Sequence, residues 1–193
     1  MNVCSTSLPG VLIFTPQVFK DKRGVFQELY HQVKYQQFMD EPVTFVQDNA
    51  SRSTKNVLRG LHFQRLHPQA KLISVVAGSI WDVAVDIDPA SSTFRQYVAV
   101  ELSAQNRRQL FIPAGYAHGF CVLSDRADVV YKCSDFYRAE DEFGLSWNDP
   151  DLAIEWPVVE PILSSKDVQN PTLSEFLSNF RPVNDNKDSF NRG

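Results

Sequence analysis

The chain has 193 residues, 43% of them hydrophobic and 22% charged, with 19 Lys and Arg against 23 Asp and Glu for a net charge of −4. That length buries about 70% of the unfolded surface, so one domain over residues 1–180 can hold a core without disulfides or structural metal, and the acidic balance excludes a general attraction to nucleic acid or anionic membrane. Cys4, Cys121 and Cys133 are an odd set without CxxC spacing, the first residues lack a signal-peptide pattern, and no run approaches the roughly 18 apolar residues of a membrane span, which together point to a reducing, cytoplasmic setting.

In chain order, short strands are expected at residues 25–30, 43–47, 58–64, 71–76, 81–87, 97–102, 109–112, 119–123 and 129–133. The clearest is 81–87, where Trp81, Val83, Val85 and Ile87 alternate with smaller or acidic residues and predict one buried face. Turn residues separate these pieces, as in Asp21-Lys22-Arg23-Gly24, Ala77-Gly78-Ser79, Asp88-Pro89-Ala90 and Pro113-Ala114-Gly115. Leu173, Phe176, Leu177 and Phe180 fall at i, i+3, i+4 and i+7 and predict a short C-terminal amphipathic helix, followed by a polar, loose tail over 181–193. Many short strands without long intervening helices predict an all-β antiparallel sandwich or jelly-roll barrel with a few short helices. Neither GxGxxG nor GxxxxGK[ST] is present to suggest a parallel nucleotide-binding sheet.

The candidate chemistry begins with four histidines, His31, His62, His67 and His118. His62 lies in Leu58-Arg59-Gly60-Leu61-His62-Phe63-Gln64, where regular pairing places it on the face of Leu58 and Gln64, opposite Arg59, unless Gly60 re-aims one of them. His118 ends Pro113-Ala114-Gly115-Tyr116-Ala117-His118, a PxGxxH string that resembles the second motif of the cupin superfamily. Metal-binding cupins carry HxH on an earlier strand. Here the counterpart is His62-Phe63-Gln64, so the second imidazole is missing and no metal site is expected. Lys71 shares parity with Ile73 and Val75, so it can stabilise negative charge inside, and only one of Tyr131 and Lys132 can face inward, with Tyr137 in the loop beyond. Taken singly, each residue also fits a plainer role: a hydrogen-bonded core histidine, a snorkelling lysine, packing tyrosines.

These segments together resemble the dTDP-4-dehydrorhamnose 3,5-epimerase family of metal-independent cupin enzymes, over residues 10–171. The resemblance rests on Asp21-Lys22-Arg23-Gly24 with Phe26 and Glu28, on Gln47-Asp48-Asn49, and on the 58–64 segment. It continues through Trp81-Asp82-Val83-Ala84-Val85-Asp86, residues 112–120, Tyr131-Lys132, Trp147-Asn148-Asp149-Pro150 and Leu163-Ser164-Ser165-Lys166-Asp167. It implies that His62, made more basic by Asp167, removes protons from C3 and C5 of dTDP-4-dehydro-6-deoxy-D-glucose, both of which flank the C4 ketone. It further implies that Lys71 stabilises the enolate, that Tyr131 donates a proton from the opposite face, and that Tyr137 assists or replaces it. Arg23, Phe26, Glu28, Gln47, Asp48, Asn49, Arg59, Lys71, His118, Glu142 and Lys166 match substrate-binding positions, and no cofactor is implied. The matching architecture is a homodimer whose N-terminal strands pair across subunits. Two departures stand out: the 62–71 interval is one residue shorter than in many relatives, and Ser74 replaces a common arginine. Alternatives are an epimerase that inverts one centre only, a metal-dependent cupin using His62, His67 and His118, and a non-catalytic sugar-binding jelly roll.

Overall fold

The computed structural model describes residues 1–179; the expected tail at 181–193, and Phe180 of the predicted helix, lie outside the described residues. Thirteen strands run in the order β1 (Asn2–Ser5), β2 (Leu12–Thr15), β3 (Val18–Asp21), β4 (Gly24–Gln27), β5 (Gln47–Thr54), β6 (Leu58–Gln64), β7 (Lys71–Ala77), β8 (Ser79–Asp86), β9 (Tyr97–Ser103), β10 (Gln109–Ile112), β11 (Tyr116–Val122), β12 (Arg126–Cys133) and β13 (Glu142–Gly144). A short helix α1 (Gln32–Gln36) follows β4, and α2 (Leu173–Asn179) is the predicted C-terminal helix. One sheet has the order β1-β2-β10-β7-β12-β5, the other β13-β6-β11-β8-β9, while β3 and β4 pair only with each other. The all-β barrel expected from the sequence is therefore present, as two sheets packed face to face.

Alternation decides what each sheet contributes. Ile73, Val75, Leu110, Ile112 and Val129 from the six-stranded sheet meet Ile80, Ala84, Phe120 and Val122 from the five-stranded sheet in the barrel interior. On the outer face of the five-stranded sheet, Leu61, Phe63, Val83 and Val85 are covered by Leu145, Leu152, Leu173 and Phe176. On the outer face of the six-stranded sheet, Leu12, Phe14, Leu72 and Phe111 are covered by Tyr35 and Met39. Each fully buried side chain of this kind contributes on the order of 1.5–3 kcal/mol.

Three expectations are corrected. Strand β8 is buried on both faces: its predicted apolar face, with Val83 and Val85, lies beneath the C-terminal segment, and the other, with Ile80, Asp82 and Ala84, faces the barrel interior. Residues 43–46 form no strand; the strand here is β5, whose polar sequence masks its period because Gln47, Asn49 and Ser51 line a polar cavity. The third concerns β6. His62 pairs with His118 and Arg59 with Phe120, so Gly60 and Leu61 together oppose Gly119 in a β-bulge. Gly60 sits at φ +108°, and a Cβ there would lie 2.6 Å from the carbonyl oxygen of His118. The extra residue brings Arg59 and His62, three apart, onto one cavity wall, against the regular pairing expected from sequence.

Candidate active site

A cavity of about 370 Å³ opens between the sheets. From the five-stranded sheet and its edge it receives Arg59, His62, His118 and Glu142; from the six-stranded sheet, Gln47, Asn49, Lys71 and Tyr131; from the loop after β12, Tyr137. An adjoining depression shares Arg59, His62 and Glu142 and extends to Lys166 and Asp167. Eleven of the residues singled out from sequence thus converge on one site.

His62 Nε2 lies 2.6 Å from Oδ1 of Asp167, which is only 4% exposed. Burial by itself would raise this carboxyl, but the His62 hydrogen bond and its charge, with further help from Ser164 and the Gly60 backbone, hold it below the ordinary carboxylate range. An ionised carboxylate accepting Nε2–H leaves Nδ1 as the basic nitrogen and stabilises the imidazolium once a proton is taken. His118 carries a second pairing: Nε2 lies 2.8 Å from Oδ1 of Asp82, which is fully buried.

Across the cavity, Lys71 and Tyr131 stand on neighbouring strands β7 and β12. Burial pushes the Lys71 ammonium down, while Cys133, Glu142 and Asp82 push it back up. The outcome is a poorly solvated cation facing polar space, suited to a developing oxyanion. Burial raises the Tyr131 phenol, so it remains a proton donor through neutral pH. Tyr137 donates to Oε2 of Glu142 at 3.1 Å, and Lys166 binds the same oxygen. Burial and the Glu142 contact both raise the Tyr137 phenol. Asn49 and Gln47 are committed to the protein: Gln47 Nε2 donates to Asn49 Oδ1 at 3.0 Å, and Asn49 Nδ2 to Cys133 Sγ at 3.6 Å.

Four expected residues stand elsewhere. Asp48 falls on the opposite face of β5 by parity and binds Lys132 Nζ at 2.9 Å. Arg23, Phe26 and Glu28 belong to the β3–β4 hairpin or just beyond it: Arg23 pairs with Asp21 at 2.6 Å, Glu28 with Lys34 at 2.8 Å, and Phe26 is 68% exposed. None of the four lines the cavity. Ser74 lies on the outer face, where Gln109 Nε2 donates to its hydroxyl at 2.6 Å, so the arginine replacement does not touch the inner wall bearing Lys71.

Sequence reasoning missed Asp82, Gln69, Ser51, Phe120 and Cys133. Asp82 was signalled by an acid out of phase with the apolar residues of β8, and Cys133 by its parity with Tyr131; Gln69 had no local signal. Among the described residues, no three His, Cys, Asp or Glu side chains converge as metal ligands. His67 pairs instead with Asp141 at 3.1 Å, away from the cavity lining. No helix among these residues is long and apolar enough to cross a membrane.

Comparison with known proteins agrees with this geometry. A family model described as dTDP-4-dehydrorhamnose 3,5-epimerase matches residues 5–175. The dTDP-4-dehydrorhamnose 3,5-epimerase of Shigella flexneri is 54% identical over 170 residues, covering 87% of this chain and 93% of that one. The epimerase of Legionella pneumophila, solved with dTDP-4-keto-L-rhamnose, superposes with a TM-score of 0.89 at 46% identity, covering 92% of this chain and 95% of that one. The 3'-monoepimerase of Streptomyces bikiniensis, solved with dTDP-quinovose, gives 0.84 at 33% identity, with 90% and 89% covered. The chain belongs to the dTDP-4-dehydrorhamnose 3,5-epimerase family.

Proposed function

We propose that the protein converts dTDP-4-dehydro-6-deoxy-D-glucose to dTDP-4-dehydro-L-rhamnose by inverting C3 and C5. The observation that carries this reading is the opposition across one cavity of a carboxylate-backed imidazole, His62 with Asp167, and a phenol beside an ammonium, Tyr131 with Lys71. Hydrogens on C3 and C5 are acidic because each carbon adjoins the C4 ketone. His62 takes one, the C–H electron pair becomes an enolate, and Lys71 holds the negative oxygen. Tyr131 returns a proton from the other sheet, so the centre emerges inverted. Tyr137, tied to Glu142 at the mouth, is an assisting acid. Arg59 and Lys166 supply positive groups that suit a diphosphate, and His118 lines the same cavity as Arg59.

The hairpin supports a homodimeric reading. It pairs with neither large sheet, yet exposes Phe19, Val25 and Phe26 beside Arg23. We read it as reaching the pocket of a second copy, where Arg23, Phe26 and Glu28 meet the nucleotide. One domain over residues 1–180 then carries the remaining chemistry, and the three unpaired cysteines suit the cytoplasm. The resemblance to a 3'-monoepimerase favours a second reading, inversion at one centre only. Turnover in deuterated water separates the two: an L-rhamno product with deuterium at both C3 and C5 supports double inversion, and label at one carbon overturns it.

A further inference from the structure

The segment that carries Tyr137 has no strand partner. Between β12 and the 3₁₀ turn at Ala139–Asp141, residues 134–138 run without a ladder, so their backbone groups must find other partners. The Ser134 amide donates to the carbonyl of Ala70 and the Phe136 amide to Asp135 Oδ1, and three glutamine amides supply partners for four more groups. Gln69 Nε2 donates to the carbonyl of Asp135 at 2.7 Å. Gln64 Nε2 donates to the carbonyl of Phe136 at 3.3 Å, and its Oε1 accepts from the amide of Arg138 at 2.7 Å. Gln47 Oε1 accepts from the amide of Tyr137 between them, at 2.9 Å. The attachment is reciprocal, since buried Asp141 accepts from the amides of Leu66 and His67 at 2.9 and 2.8 Å.

Gln64 is buried two residues from His62, and its amide is engaged on both ends by the segment and by the carbonyl of His67. A hydrophobic residue would fill that space equally well, but would leave a carbonyl and an amide flanking Tyr137 without partners. We infer that Gln64 and Gln69 are positioning residues: their amides fix the backbone of 135–138 and so hold Tyr137 against Glu142 before substrate arrives. The site therefore has a preset wall here instead of a loop that closes on the ligand. The inference rests on reading the cavity as an epimerase site.

Gln64→Met tests it, with two measurements. Amide hydrogen exchange at Arg138 is expected to quicken by about tenfold or more, because that N–H loses its acceptor. Epimerase kcat/KM is expected to fall about tenfold beside wild type, but less than about twofold when the same change is made in Tyr137→Ala. Unchanged exchange overturns the inference, as does a loss that persists in full without the Tyr137 side chain. Should Gln64→Met fail to fold, Gln69→Met removes only the Asp135 bond and is judged by the same double-mutant criterion, with exchange read at Phe136 and Tyr137. Wild-type turnover in the same assay reads the functional assignment separately: its absence removes the premise and the inference with it, whereas normal turnover with unaltered exchange sinks the inference alone.

Discussion

The barrel cavity and the N-terminal hairpin place their functional residues by different means. His62, His118, Lys71 and Tyr131 sit on strands paired on both sides, and strand parity with one bulge decides which side chains face the cavity. Arg23 and Phe26 sit on a two-stranded ribbon without a second layer, a unit with marginal stability of its own. The residues proposed for bond making and breaking are thus fixed within one chain, whereas the hairpin residues proposed for nucleotide recognition need a second surface to bind against. Changes in the barrel should strike turnover, and changes in the hairpin should strike affinity and act between subunits.

The largest effect is expected from His62→Ala, which removes the proposed base: turnover should fall about 10²–10⁴-fold, while dTDP affinity, measured by calorimetry, stays close to wild type. Tyr131→Phe should cost about 10²-fold in kcat by the loss of one proton donor. A comparable loss in affinity instead would place the phenol in binding. Arg23→Ala should raise KM about tenfold with kcat retained. Co-expressed with His62→Ala and assayed at substrate well below KM, it should give about a quarter of wild-type kcat/KM, because half the random dimers hold one intact pocket. No recovery would contradict exchange of the hairpin.

Two pH effects sharpen the contrast between the walls. Burial lowers the Lys71 ammonium, so its charge is lost at a lower pH than that of an ordinary lysine. Lys71→Arg should carry the alkaline limb of kcat/KM upward, since a guanidinium stays charged above about pH 12. Asp167 is held below the ordinary carboxylate value, chiefly by His62 against the opposing effect of burial. Its contribution to stability is therefore full above about pH 4 and is lost as the pH falls through the depressed folded value. Asp167→Asn should flatten that acid-side slope in chemical denaturation. The smallest effect is expected from Arg52→Ala, which breaks an exposed 2.7 Å pair with Asp128 and should leave the denaturation midpoint close to wild type with no change in turnover.

Much of this was legible in the sequence for definite reasons. Lys71 was placed by parity, whereas parity left Tyr131 and Lys132 as alternatives that family resemblance decided; β7 and β12 keep their alternation, with the one irregularity of that pair lying before Val129. Arg59 was misplaced because a bulge changes parity, and although Gly60 announced an irregularity, its form depends on the approach of Gly119 from β11. Strand β5 was missed because Gln47, Asn49 and Ser51 line a polar cavity, so the apolar alternation that betrays a strand is absent. The contact between His62 and Asp167 spans 105 positions and came from family resemblance, since no local periodicity reports such a pairing. Gln69 acts on backbone atoms far along the chain, and spacing carries no trace of that.

The central claim is that one imidazole works at both carbons flanking the ketone. Incubating wild type and His62→Ala with dTDP-4-dehydro-6-deoxy-D-glucose in deuterated water, then reading C3 and C5 by NMR, tests it directly. The account predicts label at both positions with wild type and at neither, on the same timescale, with His62→Ala. Sustained labelling at either carbon by His62→Ala would show that another group takes that proton.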